Sequence, residues 1–229
     1  MQSRDALVHQ RVNIARREKI HQHVHTVLPV RPAEHLSCGI CRTRRIYWSG
    51  RSLSSRRTEH GDNDPMIALG IDPGAATCGF GVVALEDGQL RLIDAGCVRT
   101  RATETDAQRL RQIHRALTGL VEQHQPDRVG IERLFFQRNV QTAMTVGQAR
   151  GVALLVAAEH ELRIDEPTPN EVKQAVCGNG AAEKRQVATM VERLLGVSLA
   201  GADDDATDAL AIAIGCCYRS AAEPRVATA

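Results

Sequence analysis

Residues 66–81, MIALGIDPGAATCGFG, contain the pattern around which the rest of the chain is organised. An apolar run from Ile67 to Ile71 ends in Asp72, and Pro73-Gly74 follows at once. Short apolar runs bounded by Gly and Pro are typical of buried strands joined by a turn. A carboxylate at the end of such a strand is costly to desolvate unless it is paired or binds a cation. This stretch alone leaves two interpretations of Asp72 open, a turn residue before Pro-Gly and a functional acid.

The charge of the chain is divided between a basic first segment and an acidic remainder. The first 65 of the 229 residues contain 12 of the 29 Lys and Arg, 6 of the 27 Asp and Glu, and 6 of the 9 His. Residues 66–229 therefore carry 17 basic and 21 acidic side chains, a formal −4 after a formal +6. High charge density with little apolar periodicity predicts that residues 1–65 are a disordered extension. Two alternatives are that translation starts at Met66, and that the basic segment adds non-specific affinity for DNA.

The cysteines and the longest apolar runs argue against several classes of protein. Cys38 and Cys41 form a Cys-x-x-Cys pair, but a second pair of ligands a dozen or so residues downstream is missing, which argues against a zinc finger. No apolar run has the form of a secretory signal or the length of a membrane span, so we expect a cytoplasmic protein without a membrane anchor. The remaining cysteines lie among apolar neighbours and are predicted to be reduced core residues: Cys78, Cys97, Cys177, Cys216 and Cys217.

From Met66 onward, the periodicity predicts one α/β domain that extends to residue 220, with a frayed tail at 221–229. Apolar runs near Gly79–Leu85 and Leu90–Val98, joined by Glu86-Asp87-Gly88, complete three antiparallel strands. Two shorter strands are predicted at Asp127–Glu132 and Arg163–Glu166. The helix at 142–160 is apolar or small almost all round, which predicts a central and largely buried position. Helices are expected at Thr105–Gln123, Thr142–His160, Pro169–Val176, Glu183–Leu195 and Asp204–Arg219.

Four carboxylates are predicted to converge on this domain. Asp72 and Glu132 each end an apolar strand, so they lie side by side if those strands are neighbours. Asp205 and Asp208 are three residues apart on a predicted helix and share the face of Ile212, which packs inward. Four acids without matching basic partners would repel one another, and oxygen-only ligands suit Mg²⁺ or Mn²⁺ rather than zinc. Two such ions would activate a water and stabilise the leaving oxygen in phosphodiester hydrolysis.

Helix capping is the competing interpretation of the acids at the start of the last helix. Negative charge is favourable at the positive end of the helix dipole, and Asp203 and Asp204 are expected to cap the helix in this way. Capping also accounts for an acid at Asp205. It does not require Asp208, which lies further along an otherwise Ala/Leu/Ile-rich helix.

Five motifs extend this pattern over residues 66–219. They are GIDPG at 70–74, IE at 131–132 followed by Phe135, GQARG at 147–151, GAAEKRQV at 180–187 and DDATDALAIAI at 204–214. In order and spacing they resemble the RuvC family of Holliday-junction resolvases, members of the ribonuclease H-like superfamily. The resemblance implies a ribonuclease H-like α/β fold, with a mixed five-stranded sheet and helices on both faces. Residues 1–65 lie outside it.

The resemblance also implies an activity, a metal and partners. The family consists of homodimeric endonucleases that resolve four-way junction DNA by paired symmetric nicks during recombination and repair, beside the RuvA and RuvB branch-migration proteins. The family's catalytic, metal-binding acids correspond to Asp72, Glu132, Asp205 and Asp208, which implies two Mg²⁺ ions per subunit, replaceable by Mn²⁺. In the family, the helix equivalent to 142–160 helps form the dimer interface.

Two lysines and an aromatic residue become interpretable through the resemblance. Lys173 and Lys184 match basic residues near the family's active site, where a cation contacts the scissile or adjacent phosphate, and we assign Lys184 to the catalytic set. Lys184 follows a Gly-rich loop whose amides also suit phosphate, although a solvated lysine is the ordinary alternative. Phe135 matches the aromatic that the family inserts against junction bases, and Phe136 is an equal candidate for that role.

The remaining DNA contacts are predicted from charge. A domain with a net charge of −4 is an unpromising DNA binder, so binding must depend on a local cluster of Arg138, Lys173, Lys184 and Arg185. Arg138 and Asn139, on the loop after Phe136, are expected to contact the DNA backbone. Arg150 either does the same or pairs with an acid.

Three other functions compete with junction resolution. An actin-like ATPase also begins with a strand, an Asp and a Gly, but it needs two related domains and a second glycine-rich phosphate loop, which this sequence lacks. Another ribonuclease H-like nuclease would differ in substrate rather than chemistry. A binding-only protein with a dead site is disfavoured because all four acids are present.

Overall fold

The computed structural model describes residues 65–133 and 140–223. The predictions for Cys38 and Cys41, and those for Phe135, Phe136, Arg138 and Asn139, lie outside these residues. Five strands form one sheet in the order β3-β2-β1-β4-β5. The strands are β1 (Met66–Asp72), β2 (Thr77–Glu86), β3 (Gln89–Arg99), β4 (Arg128–Ile131) and β5 (Arg163–Asp165).

The sheet is mixed, as predicted. β1, β2 and β3 are antiparallel neighbours, whereas β4 runs parallel to β1 and β5 runs parallel to β4. The turn between β2 and β3 has positive φ at Asp87 (50°) and Gly88 (76°), the backbone that a tight hairpin needs. β1 lies at the centre of the sheet, because it pairs with the antiparallel β2 on one side and with the parallel β4 on the other.

Helices cover both faces of the sheet. α1 (Asp106–His124) and α2 (Val140–Glu159) pack on the face that receives Ile67, Leu69 and Ile71 of β1. The opposite face, which receives Ala68, is covered by α3 (Pro169–Cys177), α4 (Lys184–Leu195) and α5 (Asp204–Ala222). By the two-residue alternation of a strand, Asp72 belongs to the same face as Ala68, the face that packs on α5. None of the described helices is both long and apolar enough to cross a membrane.

The prediction of a largely buried α2 is wrong. One side of the helix packs into the core through Ala149, Ala153, Val156 and Ala157, whereas Met144 is 59% exposed and Leu155 is 51% exposed. The sequence of α2 is apolar all round, but only half of that surface finds a partner within the described residues. α2 thus carries both a core face and an exposed apolar face.

The prediction for the end of the last helix is also wrong. α5 continues through Ala222, three residues beyond the expected Arg219 and across the expected boundary at residue 220. Glu223 follows it, and its carboxylate lies 2.8 Å from Arg128 Nη2 and 3.0 Å from Arg163 Nη1. These ion pairs tie residues 221–223 to the start of β4 and β5.

Candidate active site

Asp72 and Glu132 lie at the same end of two adjacent strands. The parallel pairing of β1 and β4 runs from Ala68 opposite Arg128 to Ile71 opposite Ile131. The next residue on each strand is the acid, and the Glu132 amide donates a 3.4 Å hydrogen bond to the Ile71 carbonyl oxygen. The carboxyl ends of parallel strands meet at one edge of a sheet, and this places the two acids side by side.

Glycines bring the acids of α5 to the same edge. Gly79 pairs with Asp72 in the register of β1 and β2. A Cβ built at Gly79 would overlap the backbone of Asp205, and one built at Gly70 would overlap the backbone of Ala209. α5 therefore packs directly on the backbones of β1 and β2. The backbone of Asp205 lies next to Gly79, the residue that is paired with Asp72. These glycines were not among the predicted site residues, although the Gly-x-Gly spacing at 79 and 81 marks a strand face without side chains.

The electrostatics join the four acids into one cluster. Burial, followed by the negative charges of Glu132, Asp208 and Asp205, raises the pKa of Asp72 to about 7, against the opposing charge of Lys184. Burial and the charge of Asp208 raise the pKa of Glu132, and the charge of Lys173 partly opposes that rise. Burial also raises the pKa of Asp205, with Lys184 opposing and Asp208 adding to the effect. Partial burial and repulsion between like charges both disfavour the charged forms of these three carboxyl groups.

The donor set fits hard divalent cations. All four side chains offer carboxylate oxygens, which Mg²⁺ and Mn²⁺ prefer. A cation would also replace the proton that the raised pKa of Asp72 retains near neutral pH. Within residues 65–133 and 140–223, no group of three or more His, Cys, Asp and Glu side chains is arranged so that it could hold a metal ion.

Lys184, which the resemblance assigns to the neighbourhood of the active site, carries a positive charge next to the acids. Its Nζ lies 3.0 Å from Asp208 Oδ2 and 3.3 Å from Asp204 Oδ2. Partial burial acts to lower the pKa of Lys184, but the hydrogen bond and charge of Asp208, followed by those of Asp204, raise it overall. The expectation that the acids lack a matching basic partner is therefore wrong at Asp208. Lys184 is 58% exposed, so its ammonium stays accessible to a ligand.

Asp203 and Asp204 lie at the start of α5, as predicted, but neither acts there as a simple cap. Asp203 occupies the N-cap position of α5, but its side chain makes no capping hydrogen bond. Its carboxylate instead forms an ion pair with Arg99 at the end of β3. Asp204 lies in the first turn, where the helix dipole favours it, and pairs with Lys184. The Arg99–Asp203 pair connects the start of α5 to β3 two residues before Asp205, a contact that no sequence pattern predicted.

Lys173 and Arg150 approach the site from the other helices. Lys173 lies on α3, whose N-cap Thr168 accepts a hydrogen bond from the Glu171 amide. Arg150 lies on α2 and binds both the Glu132 carbonyl oxygen and the Glu166 carboxylate. Of the two alternatives for Arg150, pairing with an acid is the one that the structure shows.

A cleft beside α4 contains Arg185. The cavity measures about 370 Å³ and lies between α4 and the loop that follows α3. Arg185 and Arg193 both line it, and neither forms an ion pair with the residues that the structure describes. The other lining residues are uncharged: Cys177, Asn179, Ala182, Gln186, Thr189 and Met190. Two guanidinium groups at an open cleft suit an anionic ligand.

Comparison with known proteins identifies the family. The family described as Crossover junction endodeoxyribonuclease RuvC matches residues 68–216. Crossover junction endodeoxyribonuclease RuvC of Chloroflexus aggregans is 52% identical over 149 residues, which cover 65% of this chain and 91% of that protein. The structure of Thermus thermophilus RuvC superposes with a TM-score of 0.64 at 35% identity, covering 68% of this chain and 96% of that one.

A second solved structure, T. thermophilus RuvC in complex with Holliday junction substrate, gives a TM-score of 0.62 at 33% identity and covers 68% of this chain and 95% of that one. These likenesses confirm the ribonuclease H-like fold that the motifs implied. They also span the strands and helices that carry the four acids. The chain therefore belongs to the RuvC family of crossover junction endodeoxyribonucleases.

Proposed function

We propose that this protein is a structure-specific endonuclease that resolves Holliday junctions by paired symmetric nicks, in DNA recombination and repair. The observation that carries the proposal is the meeting of Asp72, Glu132, Asp205 and Asp208 at one edge of the sheet. A relative of the same fold, T. thermophilus RuvC, has been solved with a Holliday junction substrate. Clustered carboxylates with raised pKa values and one accessible lysine suit metal-assisted phosphodiester hydrolysis better than nucleophilic or acid–base catalysis by the side chains themselves.

The four acids would hold two Mg²⁺ ions per subunit, and Mn²⁺ could take their place. The oxygen-only donor set and the raised pKa of Asp72 support this assignment. Bound ions would activate a water and stabilise the leaving oxygen. Asp72 has a central role among the residues that would hold the metal, because the other three carboxylates all contribute to its raised pKa.

Lys184 would guide the DNA backbone to the acids. Its ammonium lies beside Asp208 and is more than half exposed, so it can turn toward a phosphate while it remains at the edge of the site. Lys173 contributes charge on the side of Glu132. Together they would offset the negative charge of the acids when the phosphodiester approaches.

The cleft on α4 would extend the path of the DNA backbone away from the acids. Arg185 and Arg193 are eight residues apart, so they lie on one side of α4, about 12 Å apart along its axis. Lys184 begins the same helix. The segment between β4 and α2 would add base stacking by Phe135 or Phe136 and backbone contacts by Arg138 and Asn139, all outside the described residues.

The exposed side of α2 would pair two subunits. Five exposed residues form one stripe along the helix, because they recur at spacings of four and three: Met144, Gln148, Gly151, Leu155 and Ala158. A Cβ at Gly151 would meet open space, which leaves room for a second helix to approach closely. A homodimer would place two active sites on one junction, as symmetric nicking requires. Work beside RuvA and RuvB and a cytoplasmic location follow from the same proposal.

The test is nicking of a synthetic four-way junction with Mg²⁺. We expect paired symmetric cuts by the wild-type protein, loss of activity when the metal is chelated, and loss of activity in Asp72→Asn with junction binding retained. The substitution keeps the shape of the side chain but removes the charge that a metal needs. Equal cutting of linear duplex would point instead to a ribonuclease H-like nuclease of another substrate class, and activity in Asp72→Asn would contradict the proposed site.

A further inference from the structure

Arg150 lies between the backbone of Glu132 and the side chain of Glu166. Its Nε donates a 3.2 Å hydrogen bond to the Glu132 carbonyl oxygen, and its Nη2 forms an ion pair with the Glu166 carboxylate. The Arg150 side chain is only 19% exposed. A planar guanidinium engaged at two edges has a fixed direction, which the point charge of a lysine could not reproduce.

The Glu132 backbone has few other anchors among the described residues. β4 ends at Ile131, and its pairing with β5 ends one residue earlier, at Gly130 opposite Asp165. The hydrogen bond from the Glu132 amide to β1 is long at 3.4 Å. The bond from Arg150 holds the carbonyl side of the peptide that joins Glu132 to Arg133, and the Arg133 amide holds the other side through the Pro167 carbonyl oxygen, at the point where the strand has stopped.

The same guanidinium connects the site to α3. Glu166 precedes Pro167, whose carbonyl oxygen accepts a 2.9 Å hydrogen bond from the Arg133 amide. The next residue, Thr168, is the N-cap of α3. Arg150 thus ties the end of β4 to the segment that leads into the helix carrying Lys173. The positions of both Glu132 and Lys173 therefore depend on the contacts of Arg150.

We propose that Arg150 is a positioning residue, which fixes the backbone of Glu132 so that its carboxylate meets the metal without itself touching metal or DNA. The inference rests on the proposed function, in which Glu132 is a metal ligand. Metal ligands tolerate only small displacements, and groups that orient a ligand from behind influence affinity strongly.

The experiment measures Mn²⁺ affinity of the DNA-free, full-length protein by calorimetric titration. In Arg150→Met we expect the affinity to fall on the order of tenfold, the usual lower effect of losing a group that orients a ligand. Arg150→Lys should lose less, because an ammonium can reach one of the two acceptors. The matched control is Arg128→Lys, since Arg128 holds Asp165 and Glu223 at the opposite end of the same strand. That variant should lower the melting temperature and leave Mn²⁺ affinity unchanged.

Junction nicking supplies the second measurement. Arg150 variants should lower kcat and leave the KM for the junction unchanged, since the side chain faces the interior of the domain. If Arg150→Met does not fold, the comparison of Arg150→Lys with Arg128→Lys decides the question. Wild-type Mn²⁺ affinity in the Arg150 variants, or an equal loss in Arg128→Lys, would overturn the inference alone. A wild-type protein that binds no Mn²⁺ would overturn the proposed function, and the inference with it.

Discussion

Asp72 has a pKa that depends on burial and on every other acid of the candidate site. It is partly buried at the end of β1, and three carboxylates act on it in addition to burial. Near neutral pH, the negative charge of such a group destabilises the folded protein without metal, so the group stays partly protonated. A bound cation would take the place of this proton. Deprotonation of the acids therefore carries a free-energy cost in the metal-free protein, and metal binding would remove this cost.

This cost predicts how metal-free stability depends on pH. The pKa of Asp72 rises from 3.8 to about 7, so between these values the folded state keeps a proton that the unfolded state has released. Stability must therefore fall as pH rises from about 4 to about 7, by up to about 4 kcal/mol at about 1.4 kcal/mol per pH unit. Urea unfolding in the presence of a chelator should show this loss, and Asp72→Asn should flatten it.

The control for this prediction is added metal. Mg²⁺ binds the deprotonated carboxylates, so it should raise the free energy of unfolding more at about pH 8 than at about pH 5. A pH profile that is the same in the wild-type protein and in Asp72→Asn would contradict the prediction, because other groups would then account for the slope.

At this scale, the sequence predicted the residues that carry charge but not their partners. Asp72 and Glu132 could be found because a carboxylate ending an apolar run is unusual, and Asp205 and Asp208 because helical spacing places them on one face. The ion pair of Lys184 with Asp208 and the hydrogen bond from Arg150 to the Glu132 carbonyl oxygen join separate helices and strands. Contacts of this kind depend on how elements pack, which local patterns do not encode.

The position of α5 depends on the absence of side chains beneath it. Gly70, Gly79 and Gly81 all lie under the helix, and a Cβ at any of them would approach its backbone too closely. The helix axis is thereby brought near enough to the sheet for Asp205 and Asp208 to share a site with Asp72. Sequence patterns locate the helix, whereas the depth at which it packs is a property of the two elements together.

Gly79→Ala tests the close approach of α5. The new methyl group would overlap the backbone of Asp205, so the start of the helix must shift outward. We expect a loss of about 1–3 kcal/mol in the free energy of unfolding and a further loss of nicking activity, because Asp205 moves with the helix. The matched control is Gly119→Ala in α1, where a Cβ meets open space and should stabilise by about 0.5–1 kcal/mol. Unchanged activity in a folded Gly79→Ala protein would contradict this account.

α2 shows why an apolar pattern cannot be equated with burial. Its all-round apolar sequence predicted a helix inside the domain, yet Met144 and Leu155 are exposed. In the proposed dimer, the exposed apolar residues would contact the second subunit. A helix with two apolar faces and one packed face is the signature expected of an interface.

Leu155→Glu tests the exposed face of α2. A buried charge without a partner is strongly unfavourable, so we expect a dimer to dissociate into monomers, as measured by sedimentation at several protein concentrations. Tyr218→Glu serves as the control, because Tyr218 is also exposed but lies on α5, which packs on the other face of the sheet. Wild-type protein that sediments as a monomer, or unchanged sedimentation of Leu155→Glu, would contradict the proposed interface.

The whole molecule combines a basic segment of formal charge +6 with an acidic domain of formal charge −4. Within the domain, Asp72, Glu132, Asp205 and Asp208 lie at one edge of the sheet, whereas Lys184, Arg185 and Arg193 follow one helix. Net charge is therefore a poor guide to DNA affinity here, because a phosphate backbone responds to the local arrangement of charges. Removal of the basic segment separates the two contributions.

A chain that begins at Met66 is expected to keep full nicking activity and junction affinity. All the described strands and helices lie between Met66 and Ala222, and the start of β1 is held from within the domain, where Asp127 Oδ2 accepts a 2.7 Å hydrogen bond from the Ile67 amide. Fluorescent junction binding at several salt concentrations provides the measurement, since each phosphate contact contributes about 0.9 to the slope of log affinity against log salt. If residues 1–65 neutralised phosphates, their removal would weaken binding and reduce that slope. An equal slope with equal nicking rates would assign all the DNA contacts to the domain itself.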